Sequence, residues 1–319
     1  MAVYTEVSDA ALRRFFEDYA LGGVVSCKGI AEGVENSNYL VVTDSGPFIL
    51  TLYEKRVAEG ELPFFIALME HLAGKGIPCP LPVHDRSDKA LKTLCGRPAC
   101  VTTFLPGMWP RAVTPMHCRE LGRMMAALHA AAADFPMYRA NSVGPDHWPE
   151  LFAKVESRAD SVIPGLAEAI STELTALAKL WPNDLPAGVI HADLFPDNVF
   201  FQDEQISGVI DFYFACNDLL AYELAIAINA WCFDDDHRLD RDRATALMAG
   251  YQEGRALDAV EASAMPVLCR GAALRFLLTR LFDWLNRPEG ALVMPKDPND
   301  YLARLRRHQT ITDPGAYGL

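Results

Sequence analysis

Two patterns of apolar residues follow one another along the chain. Up to about residue 105, short runs alternate between apolar and polar positions, which is typical of strands with one buried face. They predict strands at 24–31, 37–43, 47–54 and in RPACVTTFLPG (97–107). Beyond residue 114, apolar residues recur every three or four positions and predict helices, which open at Thr114–Pro115 and continue near 147–159, 166–180, 221–233, 240–254, 260–286 and after 298.

These patterns predict an α+β fold with two lobes. The first, residues 1–105, is a small antiparallel-sheet lobe that also has a helix from Ser8 to Gly22–Gly23 and another at 61–73. The second, residues 106–319, is larger and helical. Pro106 and Gly107 interrupt the pattern between them, so we expect a hinge near 104–107.

The segment VIHADLFPDNVFF (189–201) places polar side chains inside an otherwise apolar strand–turn–strand pattern. His191, Asp193 and Asn198 have the spacing H-x-D-x-x-x-x-N, and a predicted hairpin turn, QDEQ, leads to Asp211 in ISGVIDF. An isolated His, Asp or Asn in a loop is usually a cap or a turn residue. The whole set at fixed offsets is far more restrictive, so we interpret it as catalytic.

Phosphoryl transfer to an alcohol needs the groups that this spacing supplies. A carboxylate must reach the acceptor hydroxyl, and oxygen ligands must hold Mg²⁺ beside the phosphates. A loop from Asp193 to Asn198 can direct the acid toward a substrate while the amide oxygen turns toward a metal. The hairpin brings Asp211 back as a charged ligand. Oxygen ligands without thiolates suit magnesium, so we expect Mg²⁺ and phosphate groups to bind here.

Composition and charge narrow the expected partners and compartment. The chain is half hydrophobic and carries a formal net charge of −13, which argues against nucleic acid or an anionic membrane as its main partner. Its eight cysteines are scattered, with no C-x-x-C pair, and its N-terminus lacks the apolar core of a signal peptide. These features predict a cytoplasmic protein with reduced thiols. The oligomeric state is left open.

HADLFPDN (191–198) and GVIDF (208–212) resemble the catalytic and metal-binding loops of the protein-kinase-like fold, in its aminoglycoside and choline kinase branch. More closely, the chain resembles the bacterial homoserine kinases of this fold. The stretches that carry this likeness are MAVYTEVSDAALRRFFEDY, GIAEGVENSNYLVVTDSGPFILTLYEKR, ELPFFIALMEHLA and VIHADLFPDNVFF. The resemblance implies phosphate transfer from ATP to a small molecule, L-homoserine, in threonine biosynthesis.

The resemblance also implies roles for single residues. Asp193 matches the catalytic base, and His191 matches the histidine that supports the loop. Asn198 and Asp211 match the metal ligands. Adenine is expected to meet backbone groups of the hinge, from Thr103 to Leu105.

Some positions depart from the protein-kinase pattern. Ala192 replaces the arginine of H-R-D, which argues against control by a phosphorylated activation loop, and DFY (211–213) replaces D-F-G. In protein kinases a strand lysine holds the α- and β-phosphates. This lysine would be expected near Thr51, where the present chain has a threonine. Lys55 shares the face of Thr51 but lies about 13 Å further along the strand, at roughly 3.3 Å per residue. A solvated Lys55 is therefore the favoured interpretation.

The chain also lacks a G-x-G-x-x-G motif. The segment EGVENSN (32–38) is the alternative, because its backbone N–H groups and the side chain of Ser37 or Asn38 can contact phosphates.

The acceptor pocket is expected between the catalytic loop and the helices after Asp211. Homoserine needs an acidic or amide partner for its ammonium and a basic partner for its carboxylate. Glu223 matches the acid that braces the catalytic loop in related kinases, and bracing is favoured over substrate contact. The remaining candidates are Asn229, Trp231, Arg275 and Arg280.

Other functions remain open from the sequence. One alternative is a kinase for another small hydroxylated amine, such as choline, an aminoglycoside or a sugar. A second is a non-catalytic nucleotide-binding regulator, which the missing strand lysine supports and the intact Asp193, Asn198 and Asp211 oppose.

Overall fold

The computed structural model describes residues 5–30, 36–54, 59–287 and 294–319. The chain forms two compact units, one of Met1–Gly107 with Ser207–Tyr213 and one of Met108–Ile206 with Phe214–Leu319. The sequence pattern placed the boundary at 105/106 and the segment 207–213 in the helical lobe. The structure assigns this segment to the first unit, because Ser207 Oγ donates to Pro106 O (2.6 Å) and Val209 N donates to Pro78 O (2.8 Å).

The first unit is built on a five-stranded antiparallel sheet in the order β1-β2-β3-β5-β4. The strands are β1 (Val24–Gly29), β2 (Asn36–Thr43), β3 (Gly46–Tyr53), β4 (Leu91–Leu94) and β5 (Arg97–Thr103). The predicted strands are confirmed. Strand β4 is not predicted by the sequence pattern, because its four residues, LKTL, are too few for an alternating pattern to stand out.

Helix α1 (Asp9–Phe16) packs its apolar face on this sheet, and α2 (Leu62–Gly74) is the second helix of the unit. The shared core combines aromatic residues of the α1 region with alternate strand residues; its most buried members are Leu12, Phe16, Tyr19, Val41, Leu50, Leu52, Ala99 and Val101. Burial of these side chains provides the main driving force for folding the unit.

Helix α1 ends earlier than the sequence predicts. The expected end was Gly22–Gly23, but the last helical residue is Phe16. The backbone beyond it bonds to the β2–β3 turn instead of continuing the helix: Ser45 N donates to Leu21 O (3.2 Å) and Gly23 N donates to Asp44 Oδ2 (2.6 Å). Tertiary hydrogen bonds therefore replace the intrahelical ones at this end.

The second unit is mainly helical, as predicted. Its helices are α3 (Pro115–Ala131), α4 (Trp148–Ala153), α5 (Glu156–Ala159), α6 (Leu166–Leu180), α7 (Leu220–Trp231), α8 (Arg241–Gly254), α9 (Ala259–Leu285) and α10 (Asn299–Gln309). The single helix expected at 147–159 is divided, because Val155 leaves helical geometry with φ −127°. Within the described residues no helix combines the length and apolarity needed to cross a membrane.

Helices α3 and α8 approach each other closely at two glycines. A Cβ on Gly122 would lie 2.1 Å from Leu247 O, and one on Gly250 would lie 2.0 Å from Arg119 O. Since such contacts are not tolerated, only glycine allows the two backbones to come this near. The crossing fixes which side chains of α3 and α8 face each other further along the helices.

Two short antiparallel pairs frame the segment predicted to be catalytic. Strand β6 (Ala187–Ile190) pairs with β9 (Cys216–Leu219), and β7 (Val199–Gln202) pairs with β8 (Gln205–Val209). The predicted hairpin turn is confirmed. Its central residues, Asp203 and Glu204, have φ of 49° and 65°, the positive values that a two-residue type I′ turn requires. Strand β9 is not predicted by the sequence pattern.

Candidate active site

The catalytic loop, defined here as residues 191–198, starts where β6 ends and closes in a 3₁₀ turn, Pro196–Asn198. Proline begins this turn with its φ already suited to it. The loop bends sharply at Ala192, whose φ is 63°. A non-glycine residue in this left-handed region costs roughly 1–2 kcal/mol, so neighbouring contacts must hold it.

Asp193 and Asn198 are brought together by the loop. Asn198 Nδ2 donates to Asp193 O (2.9 Å) and to Asp193 Oδ2 (3.2 Å). Both acceptors are oxygens, so the amide nitrogen must face Asp193. The amide oxygen is then directed away from Asp193. This orientation fits the predicted use of Asn198 as a neutral oxygen ligand of a cation.

His191 lies beneath the loop and is 1% exposed. Its Nδ1 accepts a hydrogen bond from Asp193 N at 3.2 Å. An accepting Nδ1 places the proton of the neutral imidazole on Nε2. The contact holds the backbone of Asp193, which fits the supporting role expected for His191.

Glu223 and Arg275 hold the peptide groups on either side of Ala192. Glu223 Oε1 accepts from Ala192 N at 2.7 Å, and Arg275 Nη1 donates to Ala192 O at 2.6 Å. Both side chains are buried. The favoured bracing interpretation of Glu223 therefore fits the geometry. The guanidinium of Arg275 donates to the loop backbone, and its contact with substrate stays a prediction.

Trp231 and Asn229 also have structural partners rather than an open pocket. Trp231 is fully buried and its Nε1 donates to Leu194 O at 2.7 Å. Asn229 Nδ2 donates to Ala225 O (2.9 Å) and Cys269 O (3.0 Å), and its Oδ1 lies 3.2 Å from His308 Nε2. Burial and hydrogen bonding occupy these two side chains, and their contact with substrate stays a prediction.

Arg280 differs from these residues because its side chain is partly exposed. It donates to Asp300 Oδ2 (2.9 Å) and Asp297 O (3.1 Å), and its guanidinium lies over the Tyr301 ring. These contacts link α9 to the start of α10. A role in binding substrate stays a prediction for Arg280.

Asp211 belongs to the first unit, where it follows β8 with φ of 68°. Two residues later, Tyr213 occupies the position of the glycine in D-F-G. Its ring contacts Tyr53 and Phe65 edge-on, and its Oη lies 3.2 Å from Tyr53 Oη. Burial raises the pKa of both tyrosines, and the negative charge of Asp211 adds to the rise. An anchored, neutral phenol at this position opposes a glycine-type flip of the segment.

The side chains expected near the nucleotide phosphates have protein partners. Ser37 is buried; its Oγ accepts from Thr5 N (3.0 Å) and donates to Glu54 Oε1 (2.7 Å). Asn38 Oδ1 accepts from Thr51 Oγ1 at 2.8 Å. These hydrogen bonds show that Ser37 and Asn38 help to stabilise the sheet. Their contact with phosphate stays a prediction.

Other parts of the predicted nucleotide site are only partly described. Lys55 and residues 31–35 lie outside the described residues. At the expected hinge, Thr103 pairs through its backbone N and its Oγ1 with Leu81, at 2.9 Å and 3.0 Å. Leu105 follows β5 and is half-buried. Contact of Thr103 and Leu105 with adenine stays a prediction.

One buried residue next to these groups, His129, is not among the residues predicted from the sequence. His129 of α3 places Nε2 at 2.7 Å from Glu223 Oε2, and both side chains are buried. A single histidine within a helical pattern carries no local signal that distinguishes it from a core histidine. Only the tertiary contact identifies it.

Among the described residues there is no group of three or more His, Cys, Asp or Glu side chains arranged to hold a metal ion. A magnesium ion bound with ATP needs only one or two protein ligands, since phosphate oxygens and water complete its octahedron.

Comparisons with known proteins agree with the geometry of the loop. A family model described as a phosphotransferase enzyme family matches residues 26–257. A homoserine kinase of Methylobacterium radiotolerans is 59% identical over 318 residues, covering 100% of this chain and 99% of its own. Another, of Granulibacter bethesdensis, is 57% identical over 319 residues and is matched over 100% of both chains.

Solved structures show the same fold at low sequence identity. An amicoumacin kinase in complex with AMP-PNP and Ca²⁺ is similar with a TM-score of 0.73 and 16% identity, covering 97% of this chain and 96% of that chain. The predicted protein-kinase-like α+β fold class is therefore confirmed.

Proposed function

Because this chain belongs to the phosphotransferase enzyme family, we propose that it transfers the γ-phosphate of ATP to the hydroxyl of L-homoserine, giving O-phospho-L-homoserine for threonine biosynthesis. The choice of L-homoserine as acceptor rests on one observation, the 57–59% sequence identity to homoserine kinases over the whole chain. The catalytic loop supports the reaction type independently, since it brings together a carboxylate, Asp193, and an amide, Asn198, the two kinds of group that phosphoryl transfer to an alcohol uses.

Asp193 is the proposed general base. Its backbone is fixed by His191 at the nitrogen and by Asn198 at the oxygen, and Asn198 also donates to one carboxylate oxygen. A carboxylate held in this way is already oriented before substrate binds. It would take the proton of the acceptor hydroxyl as that oxygen attacks the γ-phosphorus.

Asp211 and Asn198 are the proposed protein ligands of Mg²⁺. Asp211 would supply a negative charge and Asn198 the amide oxygen that its contacts with Asp193 leave directed away. Held by these two residues, Mg²⁺ would supply positive charge that neutralises the charge developing on the phosphates. The roles of Asp211 and Asn198 rest on the match of HADLFPDN and GVIDF to the family motifs.

ATP is expected to place its adenine at the backbone of residues 103–105. Since Thr51 is neutral and hydrogen-bonded to Asn38, it cannot supply positive charge to the phosphates. We propose that magnesium and backbone N–H groups carry this task.

The proposed compartment is the cytoplasm. All eight cysteines are free thiols, six of them buried, which fits a reducing environment.

A panel of acceptors tests the proposed function. The purified chain is incubated with ATP and Mg²⁺ and with L-homoserine, L-serine, choline or an aminoglycoside, and the phosphorylated product is identified by mass spectrometry. Phosphorylation of L-homoserine well above the others is expected. Preferential phosphorylation of another amine alcohol would favour the alternative kinase, and nucleotide binding without phosphorylation of any acceptor would favour a regulator.

A further inference from the structure

Ala192, directly before the proposed base, has a backbone conformation that favours glycine. Its φ is 63° and the residue is fully buried. The C=O of Ala192 belongs to the same peptide group as the N–H of Asp193. The orientation of this peptide therefore determines the direction of the backbone at Asp193, the first residue after the bend. Contacts that hold Ala192 in the left-handed region also fix the direction of the Asp193 side chain.

Arg275 holds the peptide between Ala192 and Asp193. It lies on α9, eighty-three positions away in the chain, and donates from Nη1 to Ala192 O at 2.6 Å. Arg275 is 2% exposed, and its guanidinium lies over the rings of Phe276 (4.5 Å) and Phe214 (5.6 Å). A buried planar cation that packs on two aromatic rings has little freedom to reorient, so it acts as a rigid donor.

Glu223 holds the preceding peptide and is itself oriented by a chain of buried side chains. Its Oε2 lies 2.7 Å from His129 Nε2, and His129 Nδ1 lies 2.8 Å from Tyr251 Oη. Arg255 Nη1 donates to the same Tyr251 Oη at 3.2 Å. A carboxylate only accepts and a guanidinium only donates, so the series is fully satisfied when Tyr251 donates to His129 and His129 donates to Glu223. The Tyr251 hydroxyl keeps its proton, because burial raises its pKa to about 12.

The close crossing of α3 and α8 makes this series possible. His129 lies on α3, two helical turns beyond Gly122, and Tyr251 directly follows Gly250 on α8. The glycines bring the two helices near enough for the imidazole and the phenol to meet.

We propose that Arg275 and His129 are positioning residues for phosphoryl transfer, which hold the left-handed bend at Ala192 from its two sides. Arg275 acts directly on the peptide that carries Asp193. His129 acts through Glu223 and keeps its carboxylate turned toward Ala192 N. The proposal rests on the proposed function in so far as Asp193 is the base, but it holds for any acceptor hydroxyl.

Steady-state kinetics of substituted enzymes tests the Arg275 contact. Arg275→Met removes the donor, and we expect kcat to fall about 10²-fold, because a misplaced catalytic group costs on this order. The KM values for ATP and for homoserine should change less than about threefold. Arg275→Lys keeps a hydrogen-bond donor, so its kcat should be about tenfold higher than that of Arg275→Met. If Arg275 instead binds the substrate carboxylate, KM for homoserine rises and kcat changes little, which would overturn the proposal.

The same helix provides a matched control for Arg275. Arg270 donates from Nε (2.7 Å) and Nη2 (3.0 Å) to the buried carboxylate of Glu173, and neither residue contacts the catalytic loop in the hydrogen bonds of the described chain. Arg270→Met should lower the melting temperature while the kcat of the folded enzyme stays within about twofold of the wild-type value. An equal loss of kcat in both methionine variants would show a general effect of weakening α9 and would contradict the positioning role.

A second buried histidine provides the control for His129. His308 pairs with Tyr317 Oη at 2.8 Å and with Asn229 Oδ1 at 3.2 Å, so it has the same two-partner pattern away from the loop. We expect His129→Leu to lower kcat by about tenfold or more with KM unchanged, and His129→Gln, which keeps a donor for Glu223, to restore most of it. His308→Leu should cost stability alone. Equal kcat for His129→Leu and His308→Leu would overturn the role of His129.

Amide hydrogen exchange separates a failure of this proposal from a failure of the proposed function. Peptides that cover residues 191–195 should exchange at least about tenfold faster in Arg275→Met than in wild type or in Arg270→Met. This readout needs no substrate, so it decides the contact even for a chain that phosphorylates no acceptor of the panel. Unchanged exchange in Arg275→Met would show that the bend at Ala192 does not depend on Arg275.

Discussion

The catalytic loop of the second unit and strand β3 of the first unit differ in the charge of the side chains that surround them. In the loop, charged side chains are buried and act on the backbone: Glu223 on Ala192 N and Arg275 on Ala192 O. On β3, the groups that meet at the expected lysine position are neutral. Thr51 Oγ1 donates to Asn38, and Tyr53 Oη lies against Tyr213 Oη.

The difference indicates how the proposed reaction divides its tasks. Buried charges in the loop fix the direction of Asp193, which must be correct to a fraction of an ångström. The neutral face of β3 leaves the phosphates to be neutralised by magnesium and backbone donors. Substitutions on the metal and loop side should therefore have large effects, and substitution of the lysine after β3 should have a small one.

The largest effect is expected for Asp211. Asp211→Ala should abolish Mg²⁺-dependent turnover, because the phosphates lose the cation that neutralises their developing charge. Turnover is measured as a function of Mg²⁺ concentration. Asp88→Ala is the control, since Asp88 is an exposed aspartate of the same unit with a similar φ of 62°. Unchanged Mg²⁺ dependence in Asp211→Ala would mean that another carboxylate holds the metal.

The second-largest effect on turnover is expected for substitution of Asp193. Asp193→Asn should preserve the fold and ATP binding but lower kcat by about 10²–10⁴, the usual scale for loss of a general base. Calorimetric titration with ATP and steady-state kinetics measure the two quantities. Asp197→Asn, an exposed carboxylate four residues later, should stay near the wild-type kcat. Wild-type turnover of Asp193→Asn would contradict the assignment of the base.

Asn198 should matter less than Asp211. Asn198→Ala removes a neutral ligand that water can partly replace, and it also removes the amide that donates to Asp193 O and Oδ2. We expect a smaller loss of turnover than in Asp211→Ala, part of which excess Mg²⁺ restores. A loss that excess Mg²⁺ leaves wholly unchanged would indicate that Asn198 acts through Asp193 alone.

The smallest effect is expected for Lys55. Lys55→Ala should raise the KM for ATP by less than about tenfold, under ~1.4 kcal/mol, because Lys55 lies four positions beyond Thr51, where the strand lysine of the family is expected. Lys28→Ala, an exposed lysine of β1, is measured beside it. A hundredfold rise for Lys55→Ala alone would identify Lys55 as a displaced phosphate anchor and would remove the contrast between the loop and β3.

The sequence by itself determined the local structure and the reaction type. Alternation and helical periodicity located most strands and helices, because they report which face of an element is buried. The spacing of His191, Asp193 and Asn198 identified the loop, since a short loop has few ways to place residues two and five positions apart. The turn at Asp203 and Glu204 followed from its position between two apolar strands.

Only the tertiary structure decided which distant side chains meet at the loop. The sequence placed Arg275 and Trp231 among the candidates for the substrate pocket, and the structure shows that both donate to loop carbonyls. Nothing in the sequence around His129 distinguished it from an ordinary core histidine. Periodicity says which side of a helix faces inward but not which residue of another helix it meets. That depends on how closely helices cross, and here on the absence of a Cβ at Gly122 and Gly250.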